Sequence, residues 1–91
     1  MTNLSVVLST YNEAANIRET INKLLLKKLV KEIIIIDDNS NDDTVSIINS
    51  IKNEKIFLHV RKNTKGFASS FIYGIMMSKG DYILRFDVDM H

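Results

Sequence analysis

The 91-residue chain is long enough for one small domain but not for two, and its 45% hydrophobic and 25% charged residues suit a soluble globular protein. Its net charge of +1, with basic residues scattered along the chain, argues against a nucleic-acid-binding protein. The absence of cysteine excludes disulfides and thiolate zinc sites, and no apolar run could cross a bilayer or form a signal sequence, so we expect a cytoplasmic location.

The chain begins with a predicted strand and a predicted helix. The segment Leu4 to Leu8 is short, apolar and β-branched, as in a buried strand, and it ends where Ser9 to Asn12 brings polar residues together. Asn12 is the predicted N-cap of the helix. Apolar residues at helical spacing then form the stripe expected to face a sheet: Ile17, Ile21, Leu24 and Leu25.

The second strand is predicted to be central. The run Ile33 to Ile36 is apolar on both faces, as in a parallel strand covered by helices on both sides, and it stops at Asp37 to Ser40. Ser40 is the predicted N-cap of a helix that reaches about Asn53, with Asp43 at the acidic position of a capping box. The predicted buried stripe of this helix consists of Val45, Ile48 and Ile51.

The second half of the chain repeats this alternation. Ile56 to Val60 predicts a third strand, and a polar loop follows from Arg61 to Gly66. Amphipathic spacing from Ala68 to Met76 predicts a third helix, which ends near Gly80 because glycine suits a left-handed C-cap. Tyr82 to Phe86 is the fourth predicted strand.

The order β-α-β-α-β-α-β predicts an α/β fold with a Rossmann-like parallel sheet, helices on both faces and right-handed crossovers. Ligands of such sheets bind at the carboxyl ends of the strands. Three of the four predicted strand ends carry polar clusters, at residues 10–13, 37–40 and 87–91. We therefore expect a binding site where these clusters meet.

The last cluster contains two carboxylates with metal-ligand spacing. Asp87 and Asp89 lie two residues apart after an extended segment, so both can face one divalent cation such as Mg²⁺ or Mn²⁺. Bound to a diphosphate, such a cation would neutralise the charge of the leaving group. The alternative is an ordinary turn or helix cap. His91, the last residue of the sequence, is either a further ligand or a frayed terminus.

The other two clusters suggest recognition of a nucleoside. Asp38 can accept a hydrogen bond from the ring N–H of a base, whereas Asp37 is as well explained as a cap of the second helix. Tyr11 offers a flat face for stacking, and Glu13 can accept from ribose hydroxyls. For Tyr11 the alternative is a place at the edge of the core.

Three segments, taken together and in this order, closely resemble glycosyltransferase family 2. The segments are Val7–Glu13, Glu32–Ser40, and Gly80–Ile83 leading into Asp87-Val88-Asp89. The stretch from Arg61 to Gly74 is most similar to the polyprenyl (dolichyl) phosphate mannose synthase branch of that family. The resemblance spans essentially the whole chain.

This resemblance implies a GT-A fold that binds a nucleoside diphosphate sugar together with Mg²⁺ or Mn²⁺. It also implies a role for each matching residue. Ser9, Tyr11 and Glu13 would line the base and ribose pocket, Asp38 would hydrogen-bond the base, Asp87 and Asp89 would hold metal and diphosphate, and His91 would lie beside the metal.

Three positions depart from the family pattern. Ser9 replaces a common proline, Asn39 replaces a common glycine, and Ala68 replaces the second glycine of the mannose synthase branch. None of these changes removes a charge needed for metal or base. Since the pocket backbone could differ around Ser9 and Asn39, both GDP-mannose and UDP-sugars are expected donors.

The resemblance implies that an intact parent transfers a hexose, with inversion, to a polyprenyl phosphate or a glycan, in the cytoplasm or at the cytoplasmic face of a membrane. Residues 1–91 would be its nucleotide-sugar-binding N-terminal part, without the acceptor-binding part and without a catalytic base. The isolated piece is therefore expected to be inactive. The alternative hypothesis is a non-catalytic nucleotide-binding or self-assembly module, such as a homodimer that covers an open sheet face.

Overall fold

The computed structural model of the protein describes residues 3–62 and the backbone of residues 82–87. The described elements are β1 (Leu4–Thr10), α1 (Ile17–Leu25), β2 (Val30–Asp37), α2 (Thr44–Ser50), β3 (Ile56–Val60) and β4 (Tyr82–Asp87). All four predicted strands are confirmed. The predicted third helix, with Ala68, lies outside the described residues.

The four strands form one parallel sheet in the order β3-β2-β1-β4. The chain therefore steps from β1 through β2 to β3 in one direction, and β4 then pairs with the other side of β1. The point where the direction reverses lies between β1 and β4. In open α/β sheets, ligands bind in the crevice outside the carboxyl ends of the strands at such a point.

The core lies between the sheet and helices α1 and α2. Alternate residues of β1 and β2 face these helices, because successive side chains of a strand point to opposite faces. The predicted stripe of α1 packs there, with Leu25 only half-buried, and in α2 Ile48 is buried. The cluster consists of Val6, Leu8, Ile17, Ile21, Leu24, Val30, Ile33, Ile35 and Ile48.

The opposite face of the sheet is also buried along β1 and β2. Val7, Ile34 and Ile36 expose 1% of their surface or less. Near the amino end of this face the hydroxyl of Ser5 donates to Glu32 Oε2 at 2.5 Å, so the buried carboxylate has a partner. The prediction of a strand that is apolar on both faces is therefore confirmed for β2.

Helix α1 begins later than predicted. Its N-cap is Asn16, whereas Asn12 has a left-handed backbone with φ of 54°. The reason is tertiary, since the backbone N–H groups of Asn12 and Glu13 donate to the side chains of Ser40 in the β2–α2 loop and Thr44 at the start of α2, and not to a cap of their own helix. The prediction of Asn12 as N-cap is wrong.

Helix α2 is also shorter than predicted. It begins at Thr44 with Asp43 as N-cap, because the hydroxyl of Ser40 donates to Asp37 at 2.6 Å and accepts from the backbone of Asn12 at 2.8 Å. Ser40 therefore does not cap the helix. At the other end, Ile51 is already extended, with φ of −87° and ψ of 104°, so the helix stops before Asn53.

Neither described helix is long and apolar enough to span a membrane.

Candidate functional site

Three neighbouring strands end in register at the carboxyl edge of the sheet. Thr10 of β1 pairs with Asp37 of β2, and Asp37 pairs with Val60 of β3. The next residues along the three strands are Tyr11, Asp38 and Arg61. Two further backbone bonds extend the ladder to them: Asp38 N donates to Thr10 O at 2.9 Å, and Arg61 N donates to Asp37 O at 2.7 Å. These three residues form what we call the edge row.

Asp38 and Arg61 form an ion pair within the edge row. The guanidinium donates twice to one carboxylate oxygen, from Nε to Asp38 Oδ1 at 3.0 Å and from Nη2 to the same atom at 2.8 Å. The side chains expose only 9% of Arg61 and 12% of Asp38. Charge-assisted bonds in such a shielded position are stronger than surface ion pairs. The pair therefore holds both side chains in place.

Asp37 has a structural position. It is fully buried, and its carboxylate accepts from Thr10 Oγ1 at 2.6 Å, from Ser40 N at 2.8 Å and from Ser40 Oγ at 2.6 Å. These bonds fix the start of the β2–α2 loop upstream of the helix. The sequence suggested either a contact with the ligand or a cap of α2, and Asp37 has neither role. Its carboxylate binds the loop, and the backbone N–H of Thr44 at the start of α2 donates to Asp42 instead.

The β1–α1 and β2–α2 loops are tied to each other across the edge of the sheet. Asn41 N donates to Asn12 Oδ1 at 2.7 Å, and Asn12 N donates to Ser40 Oγ at 2.8 Å, so the bonds run in both directions. Asn41 Nδ2 also donates to the hydroxyl of Tyr11 at 3.3 Å. We call this set of contacts the loop bridge. It fixes the backbone on both sides of the predicted base pocket.

Asp42 completes the loop bridge nearer to α2. Its carboxylate accepts from Thr44 Oγ1, from Thr44 N at 3.0 Å and from Ala14 N at 3.2 Å. The hydrogen bond from the Thr44 side chain, helped by the backbone bonds, lowers the pKa of Asp42 below the usual aspartate value. This carboxylate is thus ionised when it joins the two loops.

The predicted donor-binding residues lie along the β1 end of the site. Tyr11 exposes 44% of its surface, so it does not belong to the core edge. Glu13 is half-buried, and its backbone N donates to Thr44 Oγ1 at 2.8 Å. Ser9 is half-buried and pairs in register with Asp87 of β4. The fold therefore brings Ser9, Tyr11 and Asp38 to one edge of the sheet.

The predicted metal ligands are described only in part. The backbone of Asp87 ends β4 beside β1, at the reversal of the strand order, while Asp89 and His91 lie outside the described residues. Within residues 3–62 and the backbone of 82–87, no group of three or more metal-ligating side chains occurs. Carboxylate oxygens are suitable donors for Mg²⁺ or Mn²⁺, so the chemistry of the donor set fits the expected cation.

Arg61 is the member of the edge row that the sequence interpretation missed. The sequence pattern predicts only a polar loop from Arg61 to Gly66. Arg61 directly follows Val60, the last residue of β3, just as Asp38 directly follows β2. Its position at a strand end could therefore have predicted a place in the site. Its partner could not be read from the sequence because the two residues are 23 positions apart.

Two solved glycosyltransferases share this fold. The mannosyltransferase PcManGT of Pyrobaculum calidifontis, solved with GDP-Man and Mn²⁺, superposes with a TM-score of 0.85 at 21% identity, covering 97% of this chain and 28% of that one. The glucosyl-3-phosphoglycerate synthase of Mycobacterium tuberculosis, solved with Mn²⁺, UDP-Glc and phosphoglyceric acid, superposes with a TM-score of 0.80 at 24% identity, covering 99% and 34%. At these identities the likeness establishes the fold, which is the GT-A type of Rossmann-like sheet.

Curated relatives are more similar in sequence. The chain is 39% identical over 89 residues to the poly-beta-1,6-N-acetyl-D-glucosamine synthase of Staphylococcus aureus strain COL, which covers 94% of the chain and 21% of the relative. It is 33% identical over 94 residues to the poly(ribitol-phosphate) beta-N-acetylglucosaminyltransferase TarP of strain N315, which covers 98% and 29%. The chain thus spans less than a third of either relative.

The family model of glycosyl transferase family 2 matches residues 5–90, which is nearly the whole chain. The match includes β2, β3, β4 and all of β1 except Leu4, together with the segments that carried the resemblance in the sequence. Of the two Staphylococcus relatives, one is named as a synthase of an N-acetyl-D-glucosamine polymer and the other as an N-acetylglucosaminyltransferase. This chain belongs to glycosyltransferase family 2.

Proposed function

We propose that the natural full-length protein carrying these 91 residues transfers a hexose from a nucleoside diphosphate sugar to an acceptor, and that residues 1–91 form the donor-binding part. The observation that carries the proposal is the edge row beside the reversal of strand order. Tyr11 and Asp38 follow the ends of neighbouring strands, which supports a stacking role for the Tyr11 ring and an acceptor role for the Asp38 carboxylate. The ends of β1 and β4 adjoin the edge row through the pairing of Ser9 with Asp87.

The roles proposed for the donor-binding residues follow from their chemistry. Tyr11 stacks on the base, since its ring is nearly half-exposed. Asp38 accepts a hydrogen bond from the base, because an ionised carboxylate is an acceptor only. Ser9 and Glu13 contact the ribose. The loop bridge keeps these groups at fixed spacing before the donor arrives, which lowers the entropic cost of binding.

The diphosphate of the donor is proposed to bind at the end of β4. Asp87 and Asp89, with His91 as an additional candidate ligand, would hold Mg²⁺ or Mn²⁺ there. When bound, the cation neutralises negative charge on the diphosphate leaving group. The two solved neighbours contain Mn²⁺ with a sugar nucleotide, which supports this assignment.

The transferred sugar and the acceptor are proposed from the relatives. Both curated relatives carry N-acetylglucosamine and a β linkage in their names, which supports an N-acetylhexosamine, transferred with inversion from an α-linked donor to a growing polymer. The similarity to polyprenyl phosphate mannose synthases makes a polyprenyl phosphate the other predicted acceptor. The anionic oxygen of a polyprenyl phosphate could attack without a general base, whereas a hydroxyl of a growing polymer would need a base to remove its proton.

Calorimetry on the full-length protein tests donor binding. In the presence of Mn²⁺ we expect binding of at least one of UDP-GlcNAc, UDP-glucose and GDP-mannose. Asp38→Asn should weaken binding about tenfold or more. Arg61 donates to Oδ1 and would hold the amide oxygen of the variant, so the amide N–H₂ group would face the ring N–H of the base. Two hydrogen-bond donors would then meet in a buried position without an acceptor. Asp89→Ala should reduce transfer strongly. Asp43→Ala is the matched control, because this exposed N-cap carboxylate makes no capping bond.

Two results would contradict the proposal. One is a folded protein that binds none of the three donors with Mn²⁺ present. The other is an Asp89→Ala variant whose transfer rate equals that of the Asp43→Ala control. Radiolabelled sugar offered in parallel to a β-linked glycan and to a polyprenyl phosphate would separate the two acceptors.

A further inference from the structure

The edge of the sheet where the strands begin, opposite the edge row, carries a cluster of lysines. In the α1–β2 loop, Leu29 O accepts from Leu4 N, in the first residue of β1, at 2.9 Å. In the α2–β3 loop, Lys55 O accepts from Ile33 N of β2 at 2.8 Å. Both loops therefore lie at the amino ends of the strands. Residues 26–31 and 51–57, which we call the amino edge, contain five lysines and one acidic residue: Lys27, Lys28, Lys31, Lys52 and Lys55, with Glu54.

We propose that the amino edge docks on the surface of a bilayer that contains anionic phospholipids. The partner is identified by its chemistry, which is a layer of negatively charged phosphate headgroups above an apolar interior. The inference goes beyond the proposed function and does not depend on it, because the amino edge and the donor-binding residues lie at opposite ends of the strands.

Charge is separated between the two edges of the sheet. With five lysines and one glutamate, the amino edge has a net charge of +4, whereas the whole chain has a net charge of +1, so the rest of the chain carries −3. Four of these lysines are exposed and Lys55 is half-buried. Four aspartates lie at or just beyond the carboxyl end of β2: Asp37, Asp38, Asp42 and Asp43. A molecule with this separation of charge turns its amino edge toward a negatively charged surface.

Local structure brings lysines of the two segments together. The pairing of β2 with β1 skips Lys31, because the register shifts by one residue at the start of these strands. The exposed side chain of Lys31 lines a groove that Lys55 and Phe57 also line. Two carboxylates border the same groove, but Glu32 is buried, so Glu54 is the exposed one. The amino edge is therefore one continuous, predominantly positive surface.

Exposed apolar side chains lie among these lysines. Leu26 exposes 81% of its surface, Leu29 56% and Phe57 49%, and these are three of the four large apolar side chains that are exposed in the part of the chain that the structure describes. Leu26 and Leu29 flank the pair Lys27-Lys28. Apolar side chains between lysines can enter the boundary between headgroups and acyl chains while the ammonium groups stay at the phosphates.

The kinds of residue at the amino edge favour a lipid surface over a protein partner. All five basic residues are lysines, and neither segment contains arginine. Lysine is depleted in protein–protein interfaces, where arginine is enriched. An ammonium group is a compact charge without the planar fork that recognises a single carboxylate. Several such charges together suit a surface of many phosphates, where each lysine adds to the attraction.

Docking through the amino edge sets the orientation of the donor-binding residues. Strand β2 has eight residues, so about 26 Å of strand separates the amino edge from Asp38. The edge row would face the aqueous phase, from which a nucleoside diphosphate sugar arrives. A polyprenyl phosphate in the same bilayer would lie beyond the opposite end of the sheet. Combined with the proposed function, docking therefore favours the growing polymer as the acceptor.

Co-sedimentation of the natural full-length protein with vesicles tests the docking. Vesicles of phosphatidylcholine and phosphatidylglycerol in equal parts should bind the protein about tenfold or more tightly than vesicles of phosphatidylcholine alone. Added salt should reduce this difference, because it screens exposed charges. Lys28→Gln combined with Lys55→Gln should weaken binding to the anionic vesicles about twentyfold, since each lysine near such a surface contributes about fivefold.

The matched control is Arg18→Gln combined with Lys62→Gln. It removes the same charge from two exposed residues outside the amino edge, so its binding to vesicles should stay close to that of the wild type. Circular dichroism on both double variants checks the fold. Acetylation of the wild type, followed by mass spectrometry, gives a local measurement. Anionic vesicles should lower the labelling of the five lysines at the amino edge and leave Lys62, beyond the carboxyl end of β3, unchanged.

Three results would overturn the proposal. One is labelling of the amino-edge lysines that anionic vesicles do not lower more than neutral vesicles do. Another is a Lys28 and Lys55 double variant that binds anionic vesicles as tightly as the control does. The third is protection of the same lysines by soluble polyglutamate but not by anionic vesicles, which would assign the amino edge to an acidic protein. None of these results affects the proposed donor site, which calorimetry measures without vesicles.

Discussion

Asn12 and Asn39 have left-handed backbones, with φ of 54° and 60°, and each follows a residue of the edge row directly. Among residues with a side chain, asparagine is one of the few that adopt this region at low cost. The family resemblance of the sequence implies a glycine at position 39, where this chain has asparagine. Asparagine at this position therefore keeps the left-handed turn after Asp38. The change of pocket backbone that the sequence led us to expect at Asn39 does not follow, because asparagine adopts the same positive φ.

Substitutions at position 39 should follow this conformational argument. Asn39→Gly should leave the free energy of unfolding within about 1 kcal/mol of the wild type, because glycine accepts positive φ. Asn39→Val should cost about 1–2 kcal/mol, because a β-branched side chain clashes in the left-handed region. Urea denaturation measures both values.

Asn22→Val is the control for position 39. Asn22 is exposed within α1, where φ is negative, so the same change of side chain there carries no left-handed penalty. A loss at position 39 no larger than the loss at position 22 would show that the positive φ has no energetic consequence.

At the scale of secondary-structure elements, the main feature is that loops determine where helices begin. The backbone N–H groups of Asn12 and Ala14 donate to side chains of the β2–α2 loop, Ser40 and Asp42, and that of Glu13 donates to Thr44, the first residue of α2. Hydrogen bonds that satisfy the backbone in this way stabilise the non-helical loop before α1. The same contacts couple two strand ends, so each loop supports the geometry of the other.

Acid should weaken this coupling through Asp42. Its pKa is lowered in the folded protein, so its ionised form stabilises the fold above the usual aspartate pKa, and this contribution disappears as the pH falls through the lowered value. We expect the thermal midpoint of Asp42→Asn to lie below that of the wild type at neutral pH. The difference should shrink and vanish as the pH falls below the lowered pKa of Asp42.

Asp43→Asn is the control for this titration. It also removes one negative charge from the same loop, but Asp43 is exposed and makes no side-chain capping bond. The relevant quantity is the midpoint of Asp42→Asn minus that of Asp43→Asn at each pH. A difference that stays constant from neutral to acid pH would contradict the assigned role of Asp42.

For the whole molecule, the burial of both faces of β1 and β2 bears on self-assembly. Val7, Ile34 and Ile36 lie on the face opposite α1 and α2, and all three are buried within the single chain. A homodimer is therefore not needed to cover these residues. Among the described residues, the large apolar side chains that remain exposed are Tyr11, Leu26, Leu29 and Phe57.

Sedimentation at low micromolar concentration should find the 91-residue chain as a folded monomer. The physical reason is that isolated exposed apolar residues are normal on monomeric proteins, whereas stable dimers bury a large contiguous area. Phe57→Ser, on the edge strand β3, is the informative variant. A wild-type dimer that this substitution dissociates would favour the self-assembly hypothesis instead.

The sequence by itself determined the order and type of the described elements. Periodicity of 2 or 3.6 is a local property, so strands β1 to β4 and the buried stripe of α1 could be predicted from neighbouring residues alone. The strand-end rule also located Tyr11, Asp38 and Asp87 at one edge of the sheet before the sheet order was known. The predicted third helix and the proposed ligands Asp89 and His91 lie outside the described residues, so they stay predictions.

Only the tertiary structure decided what these residues contact. Asp38 pairs with a residue 23 positions away, and the loop bridge joins residues 28 or more positions apart, so no local pattern could reveal either. The same long-range bonds explain why both helices begin later than predicted. Asn12 and Ser40 use their backbone and side-chain groups to bind each other's loop, so they do not cap the helices that follow them. The sheet order, which sets β4 and Asp87 beside β1 and Ser9, likewise depends on how distant strands pack together and not on the sequence of either one.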